Sequence, residues 1–318
     1  MLGFAAQRLA AIAATLVIMS FVIFAVTQIL PGDVAHTILG QFATNDQIKA
    51  LEQSLGLNDP WYLQYGRWAA GVLHGDLGRS LVMQRPIGPE VFGALGRSAL
   101  LALPAFILVA LIGLSLGIHS ATHLGRASDH LVSMTQYLFI AVPEFFWAII
   151  AILFFARYLG WLPATGYAPL SEGFWPWLSH MLLPIATLVC GLIAHVSRLT
   201  RSGMIEVLQS TYIVAARGRG LSRRDVLWRH ALPNAILPAI TVLAIDVGIL
   251  IGGIVVVETV FAYPGLGRLL VFAVEQRDLP LLQAGVLVVT AVYGLANLIA
   301  DLLYGYFNPR IRFGRQIA

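Results

Sequence analysis

Four carboxylates lie inside long apolar runs of this chain: Glu144, Asp246, Glu258 and Asp301. An acid at membrane depth is costly unless it is paired, neutralised or facing water, so each is a functional candidate. Glu144 follows Pro143, and Asp246 falls near the middle of its run. Both are expected to face a helix-bundle interior and line a solute path, where a carboxylate attracts a cation such as an amino terminus or a divalent metal. A structural hydrogen bond to a neighbouring helix is the competing reading of each. Glu258 and Asp301 are read first as structural or gating residues, with Arg310 and Arg312 as candidate partners of Asp301. Of the histidines, His119 and His123 are the pair one helical turn apart, a spacing that can ligate a metal. No carboxylate or thiolate accompanies them, so a headgroup-level pair is expected and no metal site is assigned. The aromatics Phe145, Phe146 and Trp147 are expected to face lipid or pack between helices.

Catalytic chemistry finds no support. There is no G-x-S-x-G and no H-E-x-x-H. The single lysine, Lys49, follows no phosphate-binding glycine run, so any nucleotide energy must come from another subunit. The chain is expected to be no enzyme and to carry no cofactor of its own. One cysteine, Cys190, excludes an intrachain disulfide framework and a Cys-based metal cluster.

The elements that position these groups follow from composition. Of 318 residues 58% are hydrophobic and 11% charged, against roughly 25% charged in a soluble domain. A soluble enzyme is thereby excluded, and a net charge of +4 is too small for a nucleic-acid binder unless it is clustered on an exposed face. A hydrocarbon core about 30 Å thick takes about 20 apolar residues to cross. Six stretches qualify: Leu9–Leu30, Ser98–Ala121, Met134–Tyr158, Met181–Leu199, Ala235–Ala262 and Leu281–Phe307. Prolines 143, 184 and 238 fall inside three of them and are tolerable in membrane helices. The first stretch exceeds a signal-peptide core of about 7–15 residues and is read as a retained span. The fold class is therefore an all-α polytopic membrane protein with six transmembrane helices.

Arginine bias orients it, since Arg-rich short loops stay cytoplasmic. Arginines 198, 201, 217, 219, 223, 224 and 229 lie between the fourth and fifth spans, whereas Trp161–Ser179 has no Arg or Lys. Both termini are expected to be cytoplasmic. The chain then divides into residues 1–30, tail and first span; residues 31–96, a small external helical segment with candidate helices over Asn45–Leu55 and Trp61–Val72; and a core, residues 97–318, carrying a cytoplasmic loop over 201–232.

That loop has its own pattern. Met204, Val207, Leu208, Thr211 and Ala215 recur at three- and four-residue steps and predict one helix with an apolar face. Gly218 and Gly220 break it. Ser222 and Asp225 form a variant capping box that starts a second helix, giving a helix-turn-helix elbow. An amphipathic elbow lying among anionic headgroups is the alternative.

The order Val214-Ala215-Ala216-Arg217-Gly218-Arg219-Gly220-Leu221, then His230-Ala231-Leu232-Pro233, resembles the E-A-A-x-x-x-G-x9-I-x-L-P signature of membrane subunits of bacterial ABC importers. Val214 stands in place of the glutamate and His230 in place of the isoleucine. Further segments resemble the dipeptide, oligopeptide and nickel branch: Leu30-Pro31-Gly32-Asp33, Leu55 to Pro60, Gln64-Tyr65, Gly75 to Ser80, Gly253 to Phe261, Tyr263 to Gly267, Arg277-Asp278, Asp301 to Tyr304 and Asn308 to Arg312. The resemblance covers nearly the whole chain, and the external segment is similar to that of the first permease of the pair. It implies a multi-pass permease in the bacterial inner membrane, working with a second homologous permease, two ABC ATPases that bind the ATP and Mg, and an extracytoplasmic substrate-binding protein. It also implies that Ala215, Ala216, Arg217, Gly218, Arg219, Gly220 and Leu221 form a coupling helix that docks on the ATPase. Two other classes remain beside it: an ion-coupled secondary transporter using Glu144 and Asp246, and a membrane scaffold.

Overall fold

The computed structural model describes residues 2–29, 44, 46, 47, 49 and 59–307. Among them the helices are α1 (Leu2–Ile29), α2 (Trp61–Leu73), α3 (Ile87–Thr122), α4 (Ala127–Ala141), α5 (Glu144–Ala151, running on as a π-helical stretch over Ile152–Tyr158), α6 (Phe174–Leu208) and α7 (Thr211–Gly218). There follow α8 (Arg223–Asp225, running on as a π-helical stretch over Val226–Ala231), α9 (Leu232–Val260), α10 (Leu266–Glu275) and α11 (Leu279–Phe307). No strand forms among the described residues beyond an isolated bridge between Arg79 and Pro86.

Five of these helices are long and apolar enough to cross a bilayer, and six spans result if the bent pair α4–α5 counts as one. The hydropathy reading thus holds for the class, with one correction. The expected continuous span Met134–Tyr158 is broken at Val142–Pro143, and its two helices are bent by 104°. Pro143 lacks an N–H and its ring disfavours helical backbone at the preceding residue; Val142 accordingly sits extended, at φ −102° and ψ 127°. Pro184 and Pro238, by contrast, lie inside unbroken helices. A second correction concerns the loop pattern. Residues 204–215 are not one helix: α6 ends at Leu208 and α7 starts at Thr211, with Ser210 extended at ψ 149°. The candidate helix Asn45–Leu55 lies largely outside the described residues, while Trp61–Val72 appears as α2.

The chain divides into two compact units. The larger centres on Ala99–Tyr263. Its main core joins Val109 of α3, Ala148 of α5, Leu188 and Val196 of α6, and Val257 of α9. Here α3 and α6 meet through small residues: a Cβ added at Gly117 would lie 2.5 Å from Cβ of Thr200 and 2.6 Å from the carbonyl of Ser197, and one at Gly113 would lie 3.0 Å from Val196. This is a G-x-x-x-G seam, in which absent side chains let two helix backbones approach.

The second unit takes the described residues of Ala6–Ser98 together with Pro264–Leu295. Phe21 and Phe24 of α1 pack edge-on against Tyr65 of α2, and Phe21 meets Trp61 likewise. The buried Asp278 carboxylate takes the Ser80 hydroxyl and the amides of Leu81, Val82 and Leu281. Two separated sequence motifs, Gly75 to Ser80 and Arg277-Asp278, therefore meet at one acid.

Candidate functional site

The elbow is built by burying one face of a short helix. Ile213 and Ala216 of α7 are fully enclosed, packed with Met204 of α6, Val226 and Ala231 of the α8 segment, and Ala121 of α3. Burying a side chain such as Ile213 contributes about 1.5–3 kcal/mol. The rest of α7 and the turn after it face outward: Val214 is 59% exposed, and Ala215, Arg217 and Gly218, followed by Arg219, Gly220 and Leu221, are exposed as well. Gly220 sits at φ +82°, a left-handed turn that L side chains rarely adopt. After it, the Ser222 side chain caps the next helix by accepting from the Asp225 amide at 3.1 Å, the first half of the capping box its spacing predicts, while the Asp225 carboxylate takes the Ser222 hydroxyl at 2.6 Å rather than the Ser222 amide. Asn234 of α9 bonds both the Tyr212 hydroxyl, at 3.1 Å, and the carbonyl of His230, at 3.0 Å, tying α7 to the returning chain.

Above the elbow lies a buried ion pair that sequence reading missed. Asp129, at the start of α4, is 2% exposed and receives Nε and Nη2 of Arg201 at 2.8 and 2.9 Å, the Ser120 hydroxyl, and the Gly125 amide at 2.9 Å. One carboxylate thus joins the end of α3, the start of α4 and the last turns of α6. Its signal was an acid just before one apolar run and an arginine just after another, a pairing that distance in sequence conceals. Nearby, Gln136 of α4 donates to the Ser197 hydroxyl at 2.7 Å.

The membrane-depth acids separate into different environments. Asp246 is fully enclosed, with Oδ1 2.7 Å from Nδ1 of His195 and Oδ2 without a hydrogen-bond partner. Glu144, the first residue of α5, lies against the α9 backbone: a Cβ added at Gly253 would come within 2.6 Å of its Oε2. Glu144, Trp147, His195 and Arg198 share a cavity of about 380 Å³ whose walls include Leu192 and Ile249. Asp246 is absent from its lining and reaches it through His195. Phe145 and Phe146 are exposed, as lipid-facing aromatics are, whereas Trp147 turns inward against Phe139, ring centroids 5.2 Å apart. The break at Val142–Pro143 also lines this cavity, the setting in which non-helical backbone at membrane depth is tolerated.

The remaining candidates are placed as follows. Glu258 is fully buried in α9, and Asp301 is half-buried in α11. Arg310 and Arg312, its expected partners, lie outside the described residues. His119 and His123 stack with ring centroids 4.3 Å apart. Among the described residues no group of three or more His, Cys, Asp or Glu side chains gathers to hold a metal.

Comparison with known proteins accords with this architecture. Residues 113–313 match the family described as "Binding-protein-dependent transport system inner membrane component", and residues 1–87 match the corresponding N-terminal family. The chain is 36% identical to the dipeptide transport system permease protein DppB of Alkalihalophilus pseudofirmus, over 98% of this chain and 100% of that protein. It is also 36% identical to the glutathione transport system permease protein GsiC of Salmonella paratyphi A, over 98% and 100% of the two chains. Among solved structures, the MetNI methionine ABC transporter in inward facing conformations is similar in fold, with a TM-score of 0.55 at 16% identity over 69% of this chain and 96% of that chain. A helical multi-pass architecture, an apolar composition and a family match over most of the chain converge: this protein belongs to the binding-protein-dependent transport system inner membrane components, the permeases of ABC importers.

Proposed function

We propose that the chain is the first of two homologous permeases in an ATP-driven importer of peptides or related small solutes. Two ABC ATPases drive the pair and an extracytoplasmic binding protein delivers the cargo. The peptide assignment is supported by the relatives, which carry dipeptide and glutathione transport names over their whole length. In this reading both termini are cytoplasmic, residues 31–96 form the external segment, the core over 97–318 lines the path, and the loop over 201–232 is the coupling device. Ala215, Ala216, Arg217, Gly218, Arg219, Gly220 and Leu221 contact the ATPase, which alone binds ATP and Mg, so the chain itself is no enzyme. Glu144 and Asp246 serve the solute path, the latter through His195. Glu258 and Asp301 hold or gate helices.

The observation that carries this reading is the two-faced elbow. Its underside is locked into a core with α3, α6 and the α8 segment, while its outer face presents arginines 217, 219, 223 and 224. The 35 residues of α6 extend about 52 Å at 1.5 Å each, longer than a ~30 Å hydrocarbon core requires, and in this reading the excess carries the elbow clear of the lipid. A helix fixed on one side transmits a rigid displacement from whatever binds the other.

The test is site-directed cross-linking in the co-expressed, transport-competent assembly. With Cys190→Ala removing the single native thiol, Arg219→Cys should cross-link to a cysteine in the ATPase cleft. An active assembly in which position 219 never reaches the ATPase refutes the reading. Uptake that persists without the ATPases and collapses with the ion gradient points instead to an ion-coupled transporter.

A further inference from the structure

The cavity beside the α4–α5 break is lined by charges that no group among the described residues neutralises. Elsewhere in this unit membrane-level acids find partners, Asp129 in Arg201 and Asp246 in His195. Around the cavity, no ion pair or hydrogen bond within the described residues engages the Glu144 carboxylate or the Arg198 guanidinium. The two line the same cavity, yet do not approach within salt-bridge distance of each other. Trp147 adds an indole N–H that is buried and has no acceptor. Arg198 is exposed and carries no such cost, whereas Glu144 is half-buried; an uncompensated carboxylate at membrane depth is costly and persists where a ligand or a water-filled path uses it.

The groups are also held in place. Glu144 begins a helix, so its backbone position is set by the Pro143 break, and the missing side chain at Gly253 is what admits its carboxylate against α9. On α6, Gly191, His195 and Arg198 stand at i, i+4 and i+7, one face of the helix. From Gly191 to Arg198 that face rises about 10 Å. Asp246 orients His195 through Nδ1 and leaves Nε2 as the remaining polar atom of the ring. The volume, about 380 Å³, falls at the low end of the ~300–1,000 Å³ of small-ligand sites, a fit for a short molecule.

A separated carboxylate and guanidinium with an apolar wall are complementary to a molecule bearing an ammonium at one end and a carboxylate at the other. We propose that this cavity is a binding site for short zwitterions of dipeptide size, Glu144 receiving the ammonium and Arg198 the carboxylate. Asp246 acts as a positioning residue for His195. The proposal rests on the importer reading above, because a solute reaches such a cavity along a translocation path.

The test uses the intact assembly of both permeases and both ATPases in lipid nanodiscs, without binding protein, and radiolabelled dialanine as probe. N-acetyl-dialanine and dialanine amide compete as end-blocked analogues. Dialanine should bind saturably, and blocking either end should weaken binding about ten- to hundredfold, the worth of one hydrogen bond to a charged group. Glu144→Gln should weaken dialanine by that factor and erase discrimination against the acetylated form while keeping discrimination against the amide. Arg198→Gln should do the converse. Absence of saturable binding, equal affinity of the wild-type assembly for all three molecules, or unchanged preferences in the variants overturns the proposal. If a variant fails to assemble, the wild-type comparison decides. ATP hydrolysis stimulated by liganded binding protein is measured on the same nanodiscs: retained stimulation without dialanine binding removes the site and leaves the importer reading, whereas lost stimulation removes the importer reading.

Discussion

Asp129→Ala removes the acceptor that joins three helices above the elbow. The lost carboxylate leaves the Arg201 Nε and Nη2, the Ser120 hydroxyl and the Gly125 amide without the group they now share. Truncating one partner of a buried pair costs about 3–5 kcal/mol. Arg201 is 28% exposed, so water recovers part of its solvation, and a figure of about 2–3 kcal/mol is expected. The assay is native-state hydrogen exchange by mass spectrometry on peptides covering 119–131 and 198–208 in the nanodisc assembly. That free energy corresponds to exchange about 30- to 150-fold faster where opening is local. The variant should also lose uptake out of proportion to ATP hydrolysis, because an elbow on a loosened support transmits less displacement. A double-mutant cycle with Arg201→Ala separates the pair from its surroundings. Unchanged exchange in both peptides refutes the clamp, as does a double variant whose loss equals the sum of the singles within about 0.5 kcal/mol.

Three further outcomes are expected. Gly117→Val places a side chain 2.5 Å from Thr200, and overpacking of about 1–3 kcal/mol should lower the thermal midpoint of the purified permease; an unchanged midpoint denies the α3–α6 seam. Gly220→Val imposes a β-branched residue at φ +82°, about 1–3 kcal/mol of strain, so insertion should persist while ATP-driven uptake falls; full uptake denies the turn its role. Asp278→Asn replaces an acceptor serving the Ser80 hydroxyl and three amides, and should speed proteolysis within 75–86 while leaving α7 protected; equal cleavage of the variant and the wild type denies the link.

Hydropathy made the helical membrane class legible because apolar length is a local property, set by what a bilayer demands of any helix. The Ser222–Asp225 cap was legible for the same reason, three residues being one turn. The elbow was readable as a unit, although the apolar spacing across 204–215 ran through a chain break: Ser210 turns extended, and α6 and α7 contribute to one core from separate helices. Glu144 was identified as an acid out of place, but its neighbours were not, since His195 and Arg198 come from another helix and read in sequence as an ordinary histidine and one more cytoplasmic arginine.

Sequence alone determined the class, the number of apolar runs, the cluster of arginines and the family motifs, each encoded in composition or short-range order. Tertiary structure decided the 104° bend at Pro143, the pairing of Asp246 with His195 and of Asp129 with Arg201, and the joining of Glu144 and Arg198 in one cavity. Pairings between helices depend on rotation and depth, and no local rule carries those. In a low-dielectric interior they settle which charges are satisfied.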